Sequence, residues 1–343
     1  MRGNQRTLQQ CDSSPQNEGG AERRGHSPYP RSPHESEFNL SSAILTTELG
    51  KDYGKFTAVS SLTLDIPRGE VFGLLGPNGA GKTTTIMMLL GNIRPSRGRA
   101  EILGSPIGTV AIRKKVGFLP EKFQFHDFLT ANEFLHLHGK LTGMSREERY
   151  RRVPEVLERV GLAEREKSKI REFSKGMQQR IGIGQAILHN PDLVILDPTS
   201  ALDPLGRRDV RDIVLNLKAE GKTVVLNSHL LSEIEMTCDR VAIIKQGRVA
   251  VQGAIGELLA SALTVDIEVR NLNDAALAAL RSIAAKLKFD RVPITKLTAW
   301  VKREEDIPKL ARALIQNGVS LVALIPKKET LEDLFVRVVE ETV

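Results

Sequence analysis

Apolar positions along the chain fall into short alternating runs, short continuous runs and longer stretches at helical spacing. From Ala43 the pattern predicts strands: Ile44 to Leu49, then Ser60 to Ile66, where Leu62, Leu64 and Ile66 alternate with polar neighbours as in a half-exposed antiparallel edge. Val71-Phe72-Gly73-Leu74-Leu75 is continuously apolar, as a strand buried on both faces must be, and Lys82 to Gly91 then takes helical periodicity. From Thr130 to about Asn190 helical signals dominate, with capping boxes at Thr130/Glu133 and Ser145/Glu148. Parallel-sheet order resumes with a strand from Leu193 to Asp197, a helix from Pro204 to Glu220, a strand from Thr223 to Asn227 and a helix from about Leu230 to Cys238. Residues 240–252 read as a hairpin turning at Gln246-Gly247, and this core ends near Gly253.

The remainder is patterned differently. Val265, Ile267 and Val269 alternate, Leu277, Leu280, Ile283 and Leu287 lie at helical spacing, and two strands, a helix from about Asp306 and a strand from Val319 to Ile325 follow. The order βαββαβ suggests a small ferredoxin-like sandwich. A last helix starting at Thr330 sets Leu331, Leu334, Phe335, Val338 and Val339 along one stripe. Residues 1–40 are rich in Ser, Pro, Gly, Gln and Asn with few aliphatic residues, which predicts a disordered tail. The expected domains are therefore 1–40, 41–255 with a helical insertion over about 127–190, and 262–343.

The 343 residues are enough for about two domains, and a composition of 41% hydrophobic and 27% charged residues is that of a globular protein. Aromatic residues at 4% disfavour base-stacking platforms and carbohydrate clefts. The net charge of +7 allows anionic ligands without demanding them. Cys11 and Cys238 cannot make a disulfide framework or a Cys-rich metal site, and they read as thiols of a reducing compartment. No run approaches the ~18 consecutive apolar residues of a membrane span, and the first residues lack the apolar stretch of a signal peptide.

Chemistry concentrates at Gly76-Pro77-Asn78-Gly79-Ala80-Gly81-Lys82-Thr83, which fits G-x-x-x-x-G-K-[ST] between a buried strand and a helix. Glycines let such a loop fold into a nest of N–H groups facing phosphate oxygens, with the helix N-terminus adding positive potential. Lys82 would hold the β- and γ-phosphates, and the Thr83 hydroxyl, followed by Thr84, would ligate Mg²⁺.

From this loop onward the chain resembles an ATP-binding cassette (ABC) ATPase over roughly residues 43–253. Phe173-Ser174-Lys175-Gly176-Met177 is similar to the family's L-S-G-G-Q signature, with Lys175 and Met177 departing from it. Leu193 to Asp197 resembles the Walker B strand, Ser200-Ala201-Leu202-Asp203 the D-loop, and His229 the switch histidine. Glu121, after Leu119-Pro120, falls where the family has its Q-loop glutamine, and Tyr53 where it has the aromatic residue that stacks on adenine. The resemblance implies a P-loop NTPase (RecA-like) α/β core with an antiparallel edge sheet and a helical insertion, followed by a small α+β domain. It also implies that Tyr53, Gly76, Asn78, Gly79, Gly81, Lys82, Thr83 and Thr84 bind ATP, with Ser174 and the Gly176 backbone reaching the γ-phosphate held by a facing cassette. Asp197, Glu121 and His229 would be catalytic, and Thr83, Asp197 and Glu121 would be the Mg²⁺ ligands.

One departure bears on turnover. The family reads Asp-Glu-Pro-Thr at the end of Walker B, whereas this chain reads Asp197-Pro198-Thr199, so the carboxylate that acts as general base is absent. Either the chain is a degenerate nucleotide-binding subunit, or the residue has been lost from this sequence. Five of the 11 phenylalanines, Phe118, Phe123, Phe125, Phe128 and Phe134, surround Glu121; they fit either the joint between subdomains or a groove that receives a membrane subunit.

The implied function is the ATPase subunit of a multi-subunit exporter. Its partners would be integral membrane permease subunits and a second cassette, identical or related, with no nucleic acid. The subunit would lie in the cytoplasm, on the inner face of the cell membrane through its permease. A translation-type ABC protein carries two cassettes in one chain, a chromosome-type member has a long coiled coil where only 93 positions separate Gly81 from Ser174, and a P-loop GTPase lacks the signature. A regulatory ATP-binding module that does not turn over stays open.

Overall fold

The structure, a computed structural model, describes residues 41–340 except 199–201, 261–262, 291–294 and 302. The expected tail 1–40 and the D-loop residues Ser200 and Ala201 lie outside the described residues.

Strands β1 (Ser42–Tyr53) and β2 (Phe56–Pro67) form an antiparallel hairpin. Then come β3 (Val71–Leu75), α1 (Lys82–Leu89), β4 (Arg97–Ile102), β5 (Ser105–Pro106), α2 (Val110–Arg113) and β6 (Val116–Leu119). The helical insertion is α3 (Ala131–Leu141), α4 (Arg146–Arg159) and α5 (Lys175–Ile187). The chain returns through β7 (Leu193–Leu196), α6 (Pro204–Ala219), β8 (Thr223–Leu226), α7 (Leu231–Thr237), β9 (Arg240–Lys245), β10 (Arg248–Ala254) and α8 (Ile255–Ala260). The last part comprises β11 (Leu263–Arg270), α9 (Asp274–Ile283), β12 (Lys286–Asp290), β13 (Thr295–Val301), α10 (Ile307–Gln316), β14 (Ser320–Lys328) and α11 (Leu331–Glu340).

Among the described residues the central sheet has the order β10-β9-β3-β8-β7-β6, with β3 parallel to both β8 and β9. Its inner strands β3, β7 and β8 are buried throughout and have no polar face, and the period of two sorts their side chains into two cores. Val71 and Leu75 of β3, Val194 and Leu196 of β7, Val224 of β8 and Ile243 of β9 pack on the side of the helical insertion. Phe72, Leu74, Leu193, Ile195, Val225 and Ile244 pack toward α1 and the edge sheet. That second sheet, ordered β2-β1-β4-β5, is antiparallel, and its buried Ile44, Leu62, Leu64 and Ile66 close the core over α1.

β1 runs past Leu49, where its alternation breaks. Glu48 adopts φ 49°, and successive register shifts against β2 carry the strand on to Tyr53. In the insertion, Thr130 and Ser145 accept from the backbone N–H of Glu133 and Glu148, and each glutamate bonds back to its cap residue, so two orphan donors are satisfied at both helix starts. Phe134 is fully buried, with Phe123 and Phe125 packed beside it, while Phe118 packs in the other core and Phe128 is exposed.

Beyond α8 a separate antiparallel sheet has the order β12-β13-β11-β14. Val265, Ile267, Leu297 and Val301 from its strands meet Leu280 of α9 and Leu310 and Leu314 of α10 in a core of their own. Helix α11 leaves this sandwich. Its buried Leu331 and Leu334 belong to the core between the central sheet and the helical insertion, with Phe335 and Val338 packed against it. Thr330 caps α11 through Asp333, and the Leu331 N–H donates to Glu235 Oε2 of α7 at 2.8 Å. The buried Glu329 carboxylate takes two bonds from Arg337, at 3.0 and 2.9 Å. The apolar stripe of this helix, which lies within the expected unit 262–343, covers α7, α8 and β9.

Candidate functional site

The glycine loop 76–81 joins the C-terminal end of β3 to α1, where an open α/β sheet presents its ligands. Two glycines are dictated by close approach. A Cβ on Gly76 would lie 2.3 Å from Ile244 O, and one on Gly81, the N-cap residue at φ 100°, would lie 2.6 Å from Ala58 O. Asn78 and Gly79 form the exposed crest, Thr83 is exposed and Thr84 half-buried, and Thr85 turns inward to donate to Gly81 O at 2.9 Å. The turn of the β9–β10 hairpin braces the loop, its Gly247 N–H donating to Ala80 O at 3.0 Å.

Lys82 is buried, and its Nζ donates to Gly76 O at 2.5 Å and Pro77 O at 3.2 Å. Burial pulls its pKa below the ordinary lysine range, and the charges of Asp197 and Glu121 oppose that shift. Asp197, just past β7, is also buried, and burial pushes its carboxyl above the usual carboxylate range. The Asn227 amide, donating to Asp197 Oδ2 at 2.9 Å, lowers it again; the Glu121 charge raises it, and those of His229 and Lys82 lower it. Backbone bonds fix this end of the sheet, Asp197 N to Leu119 O and Asn227 N to Leu196 O, each 2.9 Å.

Lys82 follows β3 and Asp197 follows β7, and the two interact electrostatically, with Glu121 past β6 and His229 past β8 both exposed. Ser174 and Gly176 stand apart at the start of α5. The Ser174 hydroxyl accepts from Met177 N at 3.2 Å as N-cap, and a Cβ on Gly176 would lie 3.9 Å from Gly206 Cα of α6. Tyr53 is at the tip of the β1–β2 hairpin, 47% exposed. Asn227 is a member of the site that sequence pattern misses, since an asparagine ending a strand is ordinarily a turn residue; its Oδ1 is buried without a partner.

The loop suits a phosphate chain: Gly76 and Gly81 leave no room for a Cβ, Gly79 lies on the exposed crest, and the loop leads into the N-terminus of α1. A hard cation fits the oxygens of Thr83 and Asp197, the one exposed beside the loop and the other in electrostatic contact with Lys82. Among the described residues no group of three or more His, Cys, Asp and Glu side chains could hold a metal by itself, so such an ion would need ligand oxygens as well. No described helix is long and apolar enough to cross a membrane.

Residues 59–201 match the family model described as ABC transporter. An uncharacterized ABC transporter ATP-binding protein of Synechocystis is 39% identical over 88% of this chain and 85% of its own length. The linearmycin resistance ATP-binding protein LnrL of Bacillus subtilis is 37% identical over 85% of this chain and 96% of its own. The bacitracin transport ATP-binding protein BcrA of Bacillus licheniformis is 34% identical over 88% and 98%. A solved ATP-binding subunit of an ABC transporter superposes with a TM-score of 0.58 at 33% identity, covering 63% of this chain and 92% of that one. Likeness of this extent, across the cassette and most of the residues C-terminal to it, makes the chain a member of the ABC transporter ATP-binding proteins, the ATPase subunits of that family.

Proposed function

We propose that the chain binds Mg·ATP at residues 76–84 and works as the ATPase subunit of an exporter whose membrane permease subunits are separate chains. The observation that carries this reading is the glycine loop after β3, whose buried Lys82 ammonium is held by Gly76 O and Pro77 O at the start of α1. Lys82 exchanges its two loop carbonyls for β- and γ-phosphate oxygens, an exchange favoured by the low hydration of a buried ammonium. Thr83, Asp197 and Glu121 would hold the cation, His229 would serve the γ-phosphate, and Tyr53 would stack on the base. The bound nucleotide and Mg²⁺ supply the phosphoryl group and its counter-charge.

Ser174 and Gly176, remote from their own loop, serve the nucleotide of a second cassette, identical or related. Closure of two cassettes on ATP, and reopening on hydrolysis, moves the permease subunits on the inner face of the membrane. The names of the linearmycin resistance and bacitracin transport relatives support export as the direction.

Proline cannot accept a proton, so with Pro198 after Asp197 the chain's own site turns over slowly. Inserting Glu between Asp197 and Pro198 tests this. General-base assistance is worth about 10² to 10⁴ in rate, so phosphate release should rise at least about tenfold at unchanged ATP affinity. Fast hydrolysis by the original chain, untouched by the insertion, would show that another group supplies the base.

A further inference from the structure

The β1–β2 hairpin carries two exposed aromatic side chains at its tip, and the nucleotide reading uses only one. Tyr53 is 47% exposed and Phe56 64%, and the two are directly paired across the turn Gly54-Lys55. Pairing puts them on one face of the hairpin, with the next pair, Asp52 and Thr57, on the other. That other face is tied down. The Thr57 hydroxyl donates to Asp52 Oδ1 at 2.8 Å, Arg97 pairs with the same carboxylate, and the Arg97 guanidinium also donates to Ser60 O at 3.0 and 2.8 Å. The hairpin therefore presents its two rings from a fixed support.

Lys51 restricts what Tyr53 can do. Its ammonium lies 5.1 Å from the Tyr53 ring centroid and donates to Arg94 O at 2.8 Å, so an anchored cation holds one face of the ring and a flat ligand is left the other. The same strand reaches the phosphate loop, since Gly81 abuts Ala58 O, and Phe56 lies two residues, about 7 Å, further out on the Ala58 side of β2. The hairpin tip thus lies on the strand that borders the phosphate loop.

We infer that Phe56 is a second aromatic wall of the base subsite, covering a purine that stacks on Tyr53. The inference rests on the reading of Tyr53 and residues 76–84 as a nucleotide site. Phe56 has no hydrogen-bonding group, so it adds stacking and apolar cover without reading the edge of the base.

The test compares equilibrium binding of Mg·ATP and of Mg·tripolyphosphate, which has the phosphates and no base, to the full chain. Phe56→Ala should raise the Kd for ATP about fivefold or more and leave that for tripolyphosphate within about twofold, with Phe56→Tyr restoring ATP binding. Tyr53→Ala should behave as Phe56→Ala does. Unchanged ATP affinity in Phe56→Ala beside a loss in Tyr53→Ala would overturn the second wall and leave the base site standing. Unchanged affinity in both variants would overturn the base site itself. Equal losses for ATP and tripolyphosphate would place the effect of Phe56 in the fold of the hairpin, and the inference would fail.

Discussion

Replacing Asn227 by Leu isolates the environment of Asp197. The Asn227 amide donates to Asp197 Oδ2 at 2.9 Å inside a buried site, and burial, with a smaller push from the Glu121 charge, drives that carboxyl above its ordinary value of 3.8. A hydrogen bond to a charged group is worth about 1.5–3 kcal/mol and one to a neutral group about 0.5–1.5. Losing the amide therefore costs the ionised carboxylate roughly 1.4 kcal/mol more than the acid, which is about one pK unit upward. The buried Asn227 Oδ1 lacks a partner, so leucine also removes a pH-independent penalty of about 1–3 kcal/mol. Absolute stability mixes these two effects; pH dependence separates them.

The assay is the NMR titration of the Asp197 carboxyl carbon in protein labelled at aspartate, assigned with Asp197→Asn. Its midpoint should rise by about one unit in Asn227→Leu. Melting gives the second readout. A raised folded pKa means that the native state binds the proton more tightly than the unfolded chain, so this group's contribution to stability is greatest below the ordinary carboxylate range. The contribution falls as the pH climbs through the folded value. The stability of Asn227→Leu relative to the parent should therefore decline further as the pH climbs from the parent's folded value through the variant's higher one. An unmoved midpoint, with a constant stability difference across pH, would show that the amide does not govern Asp197.

Lys82→Ala should abolish Mg·ATP binding, measured with a fluorescent ATP analogue; full retention of affinity would remove Lys82 from the phosphate site. Leu334→Ala, at a position only 3% exposed in the cassette core, should cost about 2–4 kcal/mol in denaturant unfolding. A change below about 0.5 kcal/mol would mean that α11 is not docked.

The legible parts of the sequence were those where local rule and tertiary environment coincide. The continuous run of β3 announces burial on both faces, and the capping boxes at Thr130 and Ser145 are complete in four residues each. Strands β4 and β6 escape such reading: β4 opens Arg97-Gly98-Arg99, all exposed, and β6 has Gly117 among its four residues, whereas β7 and β8, equally short, are unbroken apolar runs apart from Thr223. Beyond Leu49, β1 was hidden by the left-handed Glu48, which shifts the alternation out of phase. An amphipathic stripe announces that a helix is covered without saying by what, so the turn of α11 toward α7 was not foreseeable. At the site, the glycine loop carries its chemistry in its own spacing, whereas the contact of Asn227 with Asp197 joins residues thirty positions apart on neighbouring strands. Of the five clustered phenylalanines, Phe134, Phe123 and Phe125 interlock, the last two with ring centroids 4.8 Å apart, and Phe128 at 64% exposure does not.

The position of α11 has a consequence for synthesis of the chain. A ribosome that has finished β10 has made every strand of the central sheet, yet the cassette core still lacks Leu331 and Leu334, roughly eighty residues downstream. At about 5–20 residues per second that interval lasts on the order of 4–16 s, during which the surfaces of α7 and α8 destined for the last helix face the solvent of the exit site. The β11–β14 sandwich, whose apolar side chains form a core of their own, emerges and can close within the same interval. Completion of the cassette is thus a late event in translation, timed by the final helix, and a ribosome stalled after β14 would expose an open apolar seam to chaperones.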